Sequence, residues 1–354
     1  MQKIFIKSKL YDYSVEFVQN FADVLAATES DSVFVIDENV FRLYQQKFNC
    51  INRERIYLMK AEENRKNMQT VMEIINFWKS LGVRKNYKVY CFGGGITQDV
   101  TTIASNLYLR NIEWNFFPTT LLSMCDSCIG GKSGINLVQY KNQIGVFYPP
   151  RKIFIDTSFI DTLTRQDYLN GWGEILKFSL TKDPAFYDEI KSLKQYIPCE
   201  NIARYIHMGL QVKQEIIEQD EFESDLRRVL NYGHTFGHAL EAYTNNKIPH
   251  GEGVIWGIDA ANFLAMKEGL LSPAIYQDVK DFIKRAFIQN EIEISKPDEL
   301  FAIICTDKKV RGNTLSFAML NGPSRLIIHP MKIDDRLREL FHEYLEATHE
   351  YYGH

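Results

Sequence analysis

The sequence lacks an excess of basic residues. Its 41 lysines and arginines are outnumbered by 45 aspartates and glutamates, which gives a net charge of -4 at pH 7, and no long run of one sign marks a charged tail. A protein that binds nucleic acid needs a basic surface to face the phosphate backbone. The composition therefore argues against nucleic acid and favours a small molecule as the partner.

Long hydrophobic runs and a cysteine framework are also missing. No segment reaches the roughly 18 uncharged apolar residues of a membrane span, and the first residues do not follow a basic region with a sustained apolar stretch. Cys125 and Cys128 have no second pair at the spacing of a zinc ribbon, which argues against disulfides and a cysteine metal site. We therefore expect a cytoplasmic protein with reduced thiols. Its cysteines are Cys50, Cys91, Cys125, Cys128, Cys199 and Cys305.

The chain contains enough apolar material for two ordinary domains. Of its 354 residues 45% are hydrophobic and 24% are charged, as in globular proteins. Up to residue 156, short apolar runs alternate with segments of helical period, which predicts βαβ units and a parallel sheet. Beyond it helical segments dominate, so we predict domains over 1–156 and 157–354. The predicted strands are SVFVID (32–37), RIYLM (55–59), YKVYCFGGG (87–95), WNFFP (114–118) and KIFID (152–156).

The stretch GGGITQD (93–99) places three glycines between a predicted strand and a helical segment. Such a turn lets the backbone approach a phosphate and points free amides at it. It is not the usual G-x-G-x-x-G, and a plain tight turn explains the glycines equally well. Asp37 ends the SVFVID strand, where a carboxylate can accept hydrogen bonds from a ribose diol, although a solvated aspartate fits that position as well.

A second candidate region is PTTLLSMCDSCIGGKSGIN (118–136), which is rich in small residues and carries charged groups. Loops of this composition often touch ligands. The following YKN adds a cation and an amide suited to phosphate oxygens, whereas a surface lysine is the ordinary interpretation of any one of these cations. The candidates are Asp126, Gly130, Gly131, Lys132, Lys141 and Asn142.

LNYGHTFGHA (230–239) holds two histidines four residues apart, which places His234 and His238 on one helix face. His250 follows in PHGEG, and Glu174 and Lys177 lie one turn apart in GWGEILKF. Imidazoles and one carboxylate around an open position can hold a catalytic zinc, although a lone core histidine is commoner.

Two further cations, Lys213 and Arg227, would suit an anionic substrate. Either one could instead be a solvated helix charge.

Together these segments resemble the 3-dehydroquinate synthase family, the main branch of the sugar phosphate cyclases. The resemblance runs from about Asp37 to Lys309, and its most specific pieces are PTTLLSMCDSCIGGKSGIN, YKNQIG, GEILKF, RRVLNYGHTFGHALE, HGEGV and DKK. It implies an α/β fold with an N-terminal Rossmann-like NAD-binding domain followed by a mostly α-helical metal-binding domain. It also implies a divalent metal, zinc or cobalt, bound by Glu174, His234 and His250, with His238 facing the substrate.

The same resemblance assigns further residues to NAD, to the substrate and to catalysis. Those that would line NAD are Asp37, Asn39, Glu63, Lys66, Gly94, Gly95, Ile96, Asp99, Thr119, Thr120, Lys141, Thr162 and Leu163. Those that would surround the phosphate are Lys132, Asn142, Asn231, Lys308, Lys309 and, from a second subunit of a homodimer, Arg110. Lys213 and Arg227 would hold the substrate carboxylate. The catalytic set would be Asp126, Lys132, Lys141, Lys177 and His238.

The activity implied is that of a carbon-oxygen lyase of the shikimate pathway, which leads to the aromatic amino acids. NAD removes a hydride from a ring alcohol of a seven-carbon sugar-acid phosphate, phosphate is eliminated, the hydride is returned and an aldol closure forms the carbocycle. The protein's part would be orientation and electrostatics, without a serine or cysteine nucleophile.

Three positions depart from the family pattern, and three other functions stay open. Tyr140 replaces a glycine, TQD (97–99) replaces a Gly-Asp ending, and Asp167 replaces a frequent glutamate. The alternatives are a cyclase of a specialised pathway, such as a 2-deoxy-scyllo-inosose or valiolone synthase, a metal-dependent alcohol dehydrogenase, and an inactive paralogue acting as a scaffold. The cation pair Lys213 and Arg227 favours a substrate with a carboxylate.

Overall fold

The computed structural model describes residues 3–138, 140–193, 195–196, 199–245, 247–286, 292–307 and 309–349. The chain forms two compact units. Unit 1 comprises Met1–Thr164 and Gln214–Phe222, and unit 2 comprises Arg165–Lys213 and Glu223–His354. The boundary was predicted at residue 156, whereas the first segment of unit 1 ends at Thr164. The short 3-10 helix Thr157–Thr162 lies between the two positions. Within the described part of the chain, none of the helices has the length and apolar composition needed to cross a membrane.

Unit 1 is built on a mainly parallel sheet. Its strands are β1 (Lys3–Ile6), β2 (Tyr13–Phe17), β3 (Ser32–Asp37), β4 (Ile56–Met59), β5 (Lys88–Gly93), β6 (Trp114–Pro118) and β9 (Lys152–Ile155). Strands β7 (Lys132–Leu137) and β8 (Tyr140–Phe147), which lie between β6 and β9 in the sequence, form a separate hairpin. The order of strands in the main sheet is β1-β2-β9-β6-β5-β3-β4. Only the β1–β2 pair is antiparallel among these sheet neighbours. The parallel sheet and all five predicted strands are confirmed.

The parallel strands form where the sequence has short apolar runs, because both faces of the sheet are covered. Every residue of β3 is buried. On neighbouring strands, the rings of Phe92 and Phe117 stack with centroids 4.1 Å apart. The helices of this unit are α1 (Phe21–Ala26), α2 (Glu38–Leu43), α3 (Met68–Ser80) and α4 (Gly95–Leu107).

The order of the strands reverses between β3 and β5. From β3 the chain moves outward to β4, whereas from β5 it passes through α4 to β6 on the other side. Open parallel sheets bind ligands outside the carboxyl ends of their strands at such a reversal. Asp37 and the glycine turn that begins at Gly93 stand at these two strand ends.

Unit 2 is mainly helical. Its helices are α5 (Arg165–Thr181), α6 (Pro184–Lys191), α7 (Ile202–Gln219), α8 (His234–Tyr243), α9 (His250–Lys267), α10 (Pro273–Ala286), α11 (Pro297–Cys305) and α12 (Asp335–His349). Helix α9 is buried from Gly251 to Ala265, including the polar residues Glu252, Asp259 and Asn262. The last residues of α7 belong with unit 1, where Gln214 Nε2 donates to the carbonyl oxygen of Phe5 at 2.7 Å.

The sequence analysis did not predict the small antiparallel sheet of unit 2. It consists of β10 (Val310–Arg311), β11 (Thr314–Leu320) and β12 (Leu326–Lys332). The signal was present, because a turn of Asn, Gly, Pro and Ser (321–324) separates two apolar runs. The long helical segments around this stretch masked it.

Candidate metal centre and cofactor site

The helices that carry the candidate metal ligands cross at glycines. A Cβ atom on Gly257 of α9 would lie 1.8 Å from the carbonyl oxygen of Gly233, which precedes α8. A Cβ atom on Gly173 of α5 would lie 2.5 Å from the carbonyl oxygen of Gly251. Backbones approach this closely only where side chains are absent. The crossings bring the first turns of α8 and α9 next to Glu174 on α5.

Three side chains converge at this point. Oε1 of Glu174 lies 3.2 Å from Nε2 of His234 and 3.3 Å from Nε2 of His250. The Glu174 carboxylate is fully buried, and one potential ligand atom from each residue lies within 4.8 Å of the others. These are the three residues that the family resemblance marks as metal ligands.

Hydrogen bonds set the direction of both imidazoles. Nδ1 of His234 lies 3.1 Å from the carbonyl oxygen of Tyr232, and Nδ1 of His250 lies 2.8 Å from Oε1 of Glu241. A ring that donates through Nδ1 presents the Nε2 lone pair on its other side. Both Nε2 atoms therefore face Glu174.

The environment of Glu174 fits a divalent ion. Its buried carboxylate contacts the Lys177 ammonium through Oε2, and its Oε1 lies 3.2 and 3.3 Å from the two imidazole nitrogens. Oε1 and the two nitrogens thus gather at one point, where a cation could lie among them. Two imidazole nitrogens and a carboxylate oxygen form a donor set that zinc and cobalt accept.

The charges of the cluster depend on one another. Burial opposes ionisation of Glu174, but the Lys177 ammonium and the His234 imidazole hold its pKa well below the usual range. Burial lowers the pKa of His234. For His250, burial is outweighed by the hydrogen bonds to Glu174 and Glu241, which raise its pKa to about 10. A divalent ion would take the place of the His250 proton, so binding would release it.

Two predicted catalytic residues flank the cluster. The ring centroid of His238 lies 5.2 Å from that of His234, one helical turn earlier, and the His238 side chain is exposed. The Lys177 ammonium contacts Oε2 of Glu174, and this side chain is only 2% exposed. His234 and His238 thus share one helix face, and so do Glu174 and Lys177, as predicted.

The candidate anion-binding residues of unit 2 occupy buried or constrained positions. Arg227 is 5% exposed on the 3-10 helix Leu226–Asn231, and Lys213 is 6% exposed on α7. At the end of the same 3-10 helix, Nδ2 of Asn231 donates to Oε1 of Glu223 at 2.9 Å.

Lys309 is tied to helix α8. Its ammonium donates to Thr235 Oγ1 at 2.9 Å and pairs with Asp307 Oδ2 at 2.8 Å. It therefore lies beside the helix that begins with His234. Lys308 lies outside the described residues.

In unit 1, the glycine turn caps helix α4. A Cβ atom on Gly94 would lie 2.9 Å from Cγ2 of Thr120, whereas one on Gly95 would meet nothing within 4 Å. The first backbone amides of α4, including that of Ile96, thus lie beside open space. Asp37, at the neighbouring strand end, uses Oδ1 to accept a hydrogen bond from the backbone nitrogen of Asn39 at 2.7 Å.

A polar network joins candidate residues for the cofactor and for the substrate. The Lys66 ammonium lies 2.6 Å from Asp99 Oδ2 and 2.7 Å from Asn142 Oδ1. Asn136 donates to Glu63 Oε1 at 2.8 Å and accepts from the Asn142 nitrogen at 2.9 Å. Sequence reasoning did not single out Asn136, which connects the two groups from within the predicted loop region.

Asp126 lies on a π-helix, Ser123–Ser127. Single π turns often mark functional positions, and this one is anchored by Gln98 of α4. The Gln98 side chain donates to the carbonyl oxygen of Ser127 at 2.8 Å and accepts from its hydroxyl at 2.6 Å. Gln98 is the middle residue of TQD, so the departure from the family pattern has a structural role that the sequence did not reveal.

Arg110 lies in a tight turn of unusual backbone conformation. Leu109, Arg110 and Asn111 have φ values of 48°, 55° and 74°. The Lys85 ammonium donates to the carbonyl oxygens of all three, at 3.0 Å for Leu109 and 2.7 Å for Asn111. Three consecutive left-handed residues that are not glycine need such support.

The remaining predicted residues lie near the strand ends or on the hairpin. Thr119 N donates to the carbonyl oxygen of Gly93 at 3.0 Å, and Thr120 Oγ1 lies 2.9 Å from Ser123 Oγ. Thr162 Oγ1 lies 3.2 Å from the hydroxyl of Tyr44, and Leu163 follows it. Lys132 on β7 and Lys141 on β8 are exposed.

Comparison with protein families places both halves of the chain in one family. The description 3-dehydroquinate synthase N-terminal applies to residues 56–170, and 3-dehydroquinate synthase C-terminal applies to residues 171–310. The chain is 31% identical to a curated 3-dehydroquinate synthase of Alkaliphilus metalliredigens (strain QYMF), over 91% of this chain and 93% of that enzyme. It is 30% identical to one of Streptococcus pneumoniae (strain JJA), over 86% and 88%.

Solved structures of sugar phosphate cyclases share the fold. A 2-deoxy-scyllo-inosose synthase complexed with carbaglucose-6-phosphate, NAD+ and Co2+ has a TM-score of 0.84 at 20% identity and covers 97% of this chain and 99% of its own. ValA, a 2-epi-5-epi-valiolone synthase from Streptomyces hygroscopicus subsp. jinggangensis 5008 with NAD+ and Zn2+ bound, has a TM-score of 0.82 at 25% identity and covers 96% and 98%. The predicted fold class is confirmed.

Proposed function

Because the chain belongs to the 3-dehydroquinate synthase family, we propose that it converts 3-deoxy-D-arabino-heptulosonate 7-phosphate to 3-dehydroquinate and phosphate. The observation that carries this proposal is the buried cluster of Glu174, His234 and His250, whose atoms fit a divalent ion. The proposal makes the protein a carbon-oxygen lyase of aromatic biosynthesis that depends on NAD and on zinc or cobalt. The scattered cysteines support a cytoplasmic location.

When bound, NAD would accept a hydride from the carbon of a substrate alcohol and later return it, and the ion would polarise the oxygen of that alcohol. Glu174, His234 and His250 would hold the ion. Asp37 and the amides at the start of α4 would bind NAD at the reversal of strand order in unit 1. The contacts of Lys66 support this. Its ammonium lies 2.6 Å from Asp99 Oδ2 and 2.7 Å from Asn142 Oδ1, so these polar side chains hold one another in place.

Binding of an anionic substrate is supported by the cations of each unit. Arg227 and Lys213 are buried cations, and a guanidinium and an ammonium both suit binding of a carboxylate. We assign the substrate carboxylate to this pair and the phosphate to Lys309, Asn231, Lys132 and Asn142. Lys177 and His238, next to the ligand cluster, would orient the reacting alcohol and hold its proton by hydrogen bonding. Asp126, Lys141 and, from a second subunit, Arg110 complete the proposed site.

The test is substrate-specific release of phosphate. The protein loaded with metal and NAD is incubated with 3-deoxy-D-arabino-heptulosonate 7-phosphate, and separately with glucose 6-phosphate and sedoheptulose 7-phosphate. We expect release only from the first, because it alone carries a carboxylate for Arg227 and Lys213. Release only from a sugar without a carboxylate would contradict the proposal and favour a specialised cyclase.

The same assay distinguishes a dehydrogenase. A cyclase regenerates its cofactor in each turnover, so the absorbance of NADH should show no net change while phosphate accumulates. Steady NADH formation with a simple alcohol and no phosphate release would favour a metal-dependent alcohol dehydrogenase. An inactive paralogue would give neither signal with any of the three sugars.

A further inference from the structure

Glu241 is a carboxylate of helix α8 that the proposed chemistry does not use. It lies two helical turns after His234, its side chain is only 16% exposed, and its Oε1 lies 2.8 Å from Nδ1 of His250. Its carboxylate is therefore paired with an imidazole inside unit 2.

This contact acts on the atom of His250 that points away from Glu174. With Nδ1 bound to the carboxylate of Glu241, Nε2 is turned toward Oε1 of Glu174, 3.3 Å away, where an ion would lie between them. An anionic acceptor also makes the imidazole a stronger ligand than a neutral acceptor does. Nδ1 of His234 instead lies 3.1 Å from a neutral acceptor, the carbonyl oxygen of Tyr232, so the two histidines are supported unequally.

The need for this support follows from exposure. The His250 side chain is 28% exposed, compared with 12% for His234, so water can reach it and compete for Nδ1. His250 is also the first residue of α9. The Glu241 carboxylate, on the adjacent helix α8, constrains the ring at Nδ1.

We infer that Glu241 is a positioning residue that fixes the Nδ1-protonated form and the ring orientation of His250, and thereby raises the affinity of the proposed site for its divalent ion. The inference rests on the proposed function, since it concerns the ion bound by Glu174, His234 and His250. A different role is testable in parallel: His238, Glu241 and His250 also have potential ligand atoms within 4.8 Å of one another. In that case Glu241 would be a ligand of a second ion.

The test measures metal binding without activity. Apo protein is titrated with zinc against a competing chelator, and with cobalt while its visible absorption is recorded. The variants are Glu241→Gln, which keeps the shape but removes the charge, Glu241→Asp, which keeps the charge but shortens the reach, and His250→Ala. Glu339→Gln is the matched control, because it removes a carboxylate from an exposed position of α12 in the same unit.

We expect one ion per chain in the wild type, an affinity reduced roughly 10- to 100-fold in Glu241→Gln, a smaller loss in Glu241→Asp and no change in Glu339→Gln. The cobalt spectrum of Glu241→Gln should shift, because the ligand field of His250 changes, while the melting temperature of the apo protein stays near that of the wild type. A purely structural role would lower the melting temperature and leave the cobalt spectrum unchanged.

Three outcomes overturn the inference. Equal affinity and identical cobalt spectra in the wild type, Glu241→Gln and Glu241→Asp would show that Glu241 does not act on His250. Two ions per wild-type chain, one of them lost in Glu241→Gln, would make Glu241 a ligand. A wild type without tight binding would overturn the metal site of the proposed function as well, which the first two outcomes leave intact.

Discussion

At the scale of single residues, Arg227 offers a test of the proposed substrate. It is buried, and its planar guanidinium suits bidentate binding of a carboxylate. We expect Arg227→Ala to weaken binding of the carboxylate substrate by roughly 1.5 to 3 kcal/mol, the scale of a charged hydrogen bond, and Arg227→Lys to recover part of the loss. NAD affinity and metal content should stay unchanged.

The measurement is steady-state kinetics on the wild type and both variants, with metal determined on the same samples. Arg228→Ala serves as the control, because it removes the same group from the same 3-10 helix at a less buried position. Unchanged kcat and KM in Arg227→Ala would remove the carboxylate-binding role and the main reason for preferring the 3-dehydroquinate synthase reaction over that of other cyclases.

His250 and His238 should differ in what their replacement by alanine removes. His250 faces Glu174 directly at 3.3 Å, so His250→Ala should lose the ion and all turnover, because a site with three protein ligands tolerates little loss. His238 lies beside the cluster with an exposed side chain, so His238→Ala should keep near-stoichiometric metal and lose activity. Metal analysis by mass spectrometry checks this, and a metal-free His238→Ala with a loaded His250→Ala would reverse the assignment.

At the scale of helices and turns, the glycine crossing should be intolerant of one methyl group. A Cβ atom on Gly257 would lie 1.8 Å from the carbonyl oxygen of Gly233, so Gly257→Ala must push α8 and α9 apart. We expect a loss of about 1 to 3 kcal/mol or more in the free energy of unfolding, together with weaker metal binding. Gly253→Ala on the same helix, whose nearest neighbour would be 3.3 Å away, should cost less.

Chemical denaturation and zinc titration of both glycine variants provide the comparison. Equal stability of Gly257→Ala and the wild type would mean that the helices can separate without consequence. The crossing would then not be what positions the ligands.

The turn that carries Arg110 is stabilised by one side chain. Lys85 binds three carbonyl oxygens of left-handed residues, each of which costs on the order of 1 kcal/mol. Lys85→Met should therefore loosen the turn, which would appear as faster proteolysis and faster amide exchange at residues 109–111. Lys79→Met, on helix α3, is the control, and equal exchange rates in both variants would contradict the role of Lys85.

Much of the fold at this scale could be predicted because the signals are local. The strand runs, the shared face of His234 and His238, and the one-turn spacing of Glu174 and Lys177 follow from periodicity. The hairpin of β11 and β12 has a local turn signal at 321–324, which was overlooked. The π-helix at Asp126 could not be predicted, since it depends on a neighbour distant in sequence. The contacts of Glu241, Gln98 and Lys85 were missed for the same reason, because each joins segments whose proximity only folding creates.

At the scale of the whole molecule, the proposed homodimer makes a prediction about mixtures. We assume that Arg110 of one subunit completes the site of the other subunit. A chain with Arg110→Ala then keeps an intact metal cluster, and a chain with His250→Ala keeps the arginine that the other subunit's site needs. In an equal, refolded mixture of these two variants, half the dimers contain one intact site, so roughly a quarter of wild-type activity should return. Each variant alone, refolded in the same way, is the control.

Phosphate release from the mixed sample is the measurement. A mixture as inactive as either variant would place Arg110 in the site of its own chain, whereas an Arg110→Ala variant that is active by itself would place it in no site. Analytical ultracentrifugation of the wild type checks the dimer independently.

The convergence of Glu174, His234 and His250 has a consequence for the stability of the protein when metal is scarce. These residues belong to three helices, α5, α8 and α9, so the ion would bind a set of ligands that only the folded chain brings together. Metal binding would then add to the stability of unit 2 in proportion to the logarithm of the free ion concentration. A cell depleted of zinc or cobalt would lose the enzyme to unfolding and degradation as well as to inactivity.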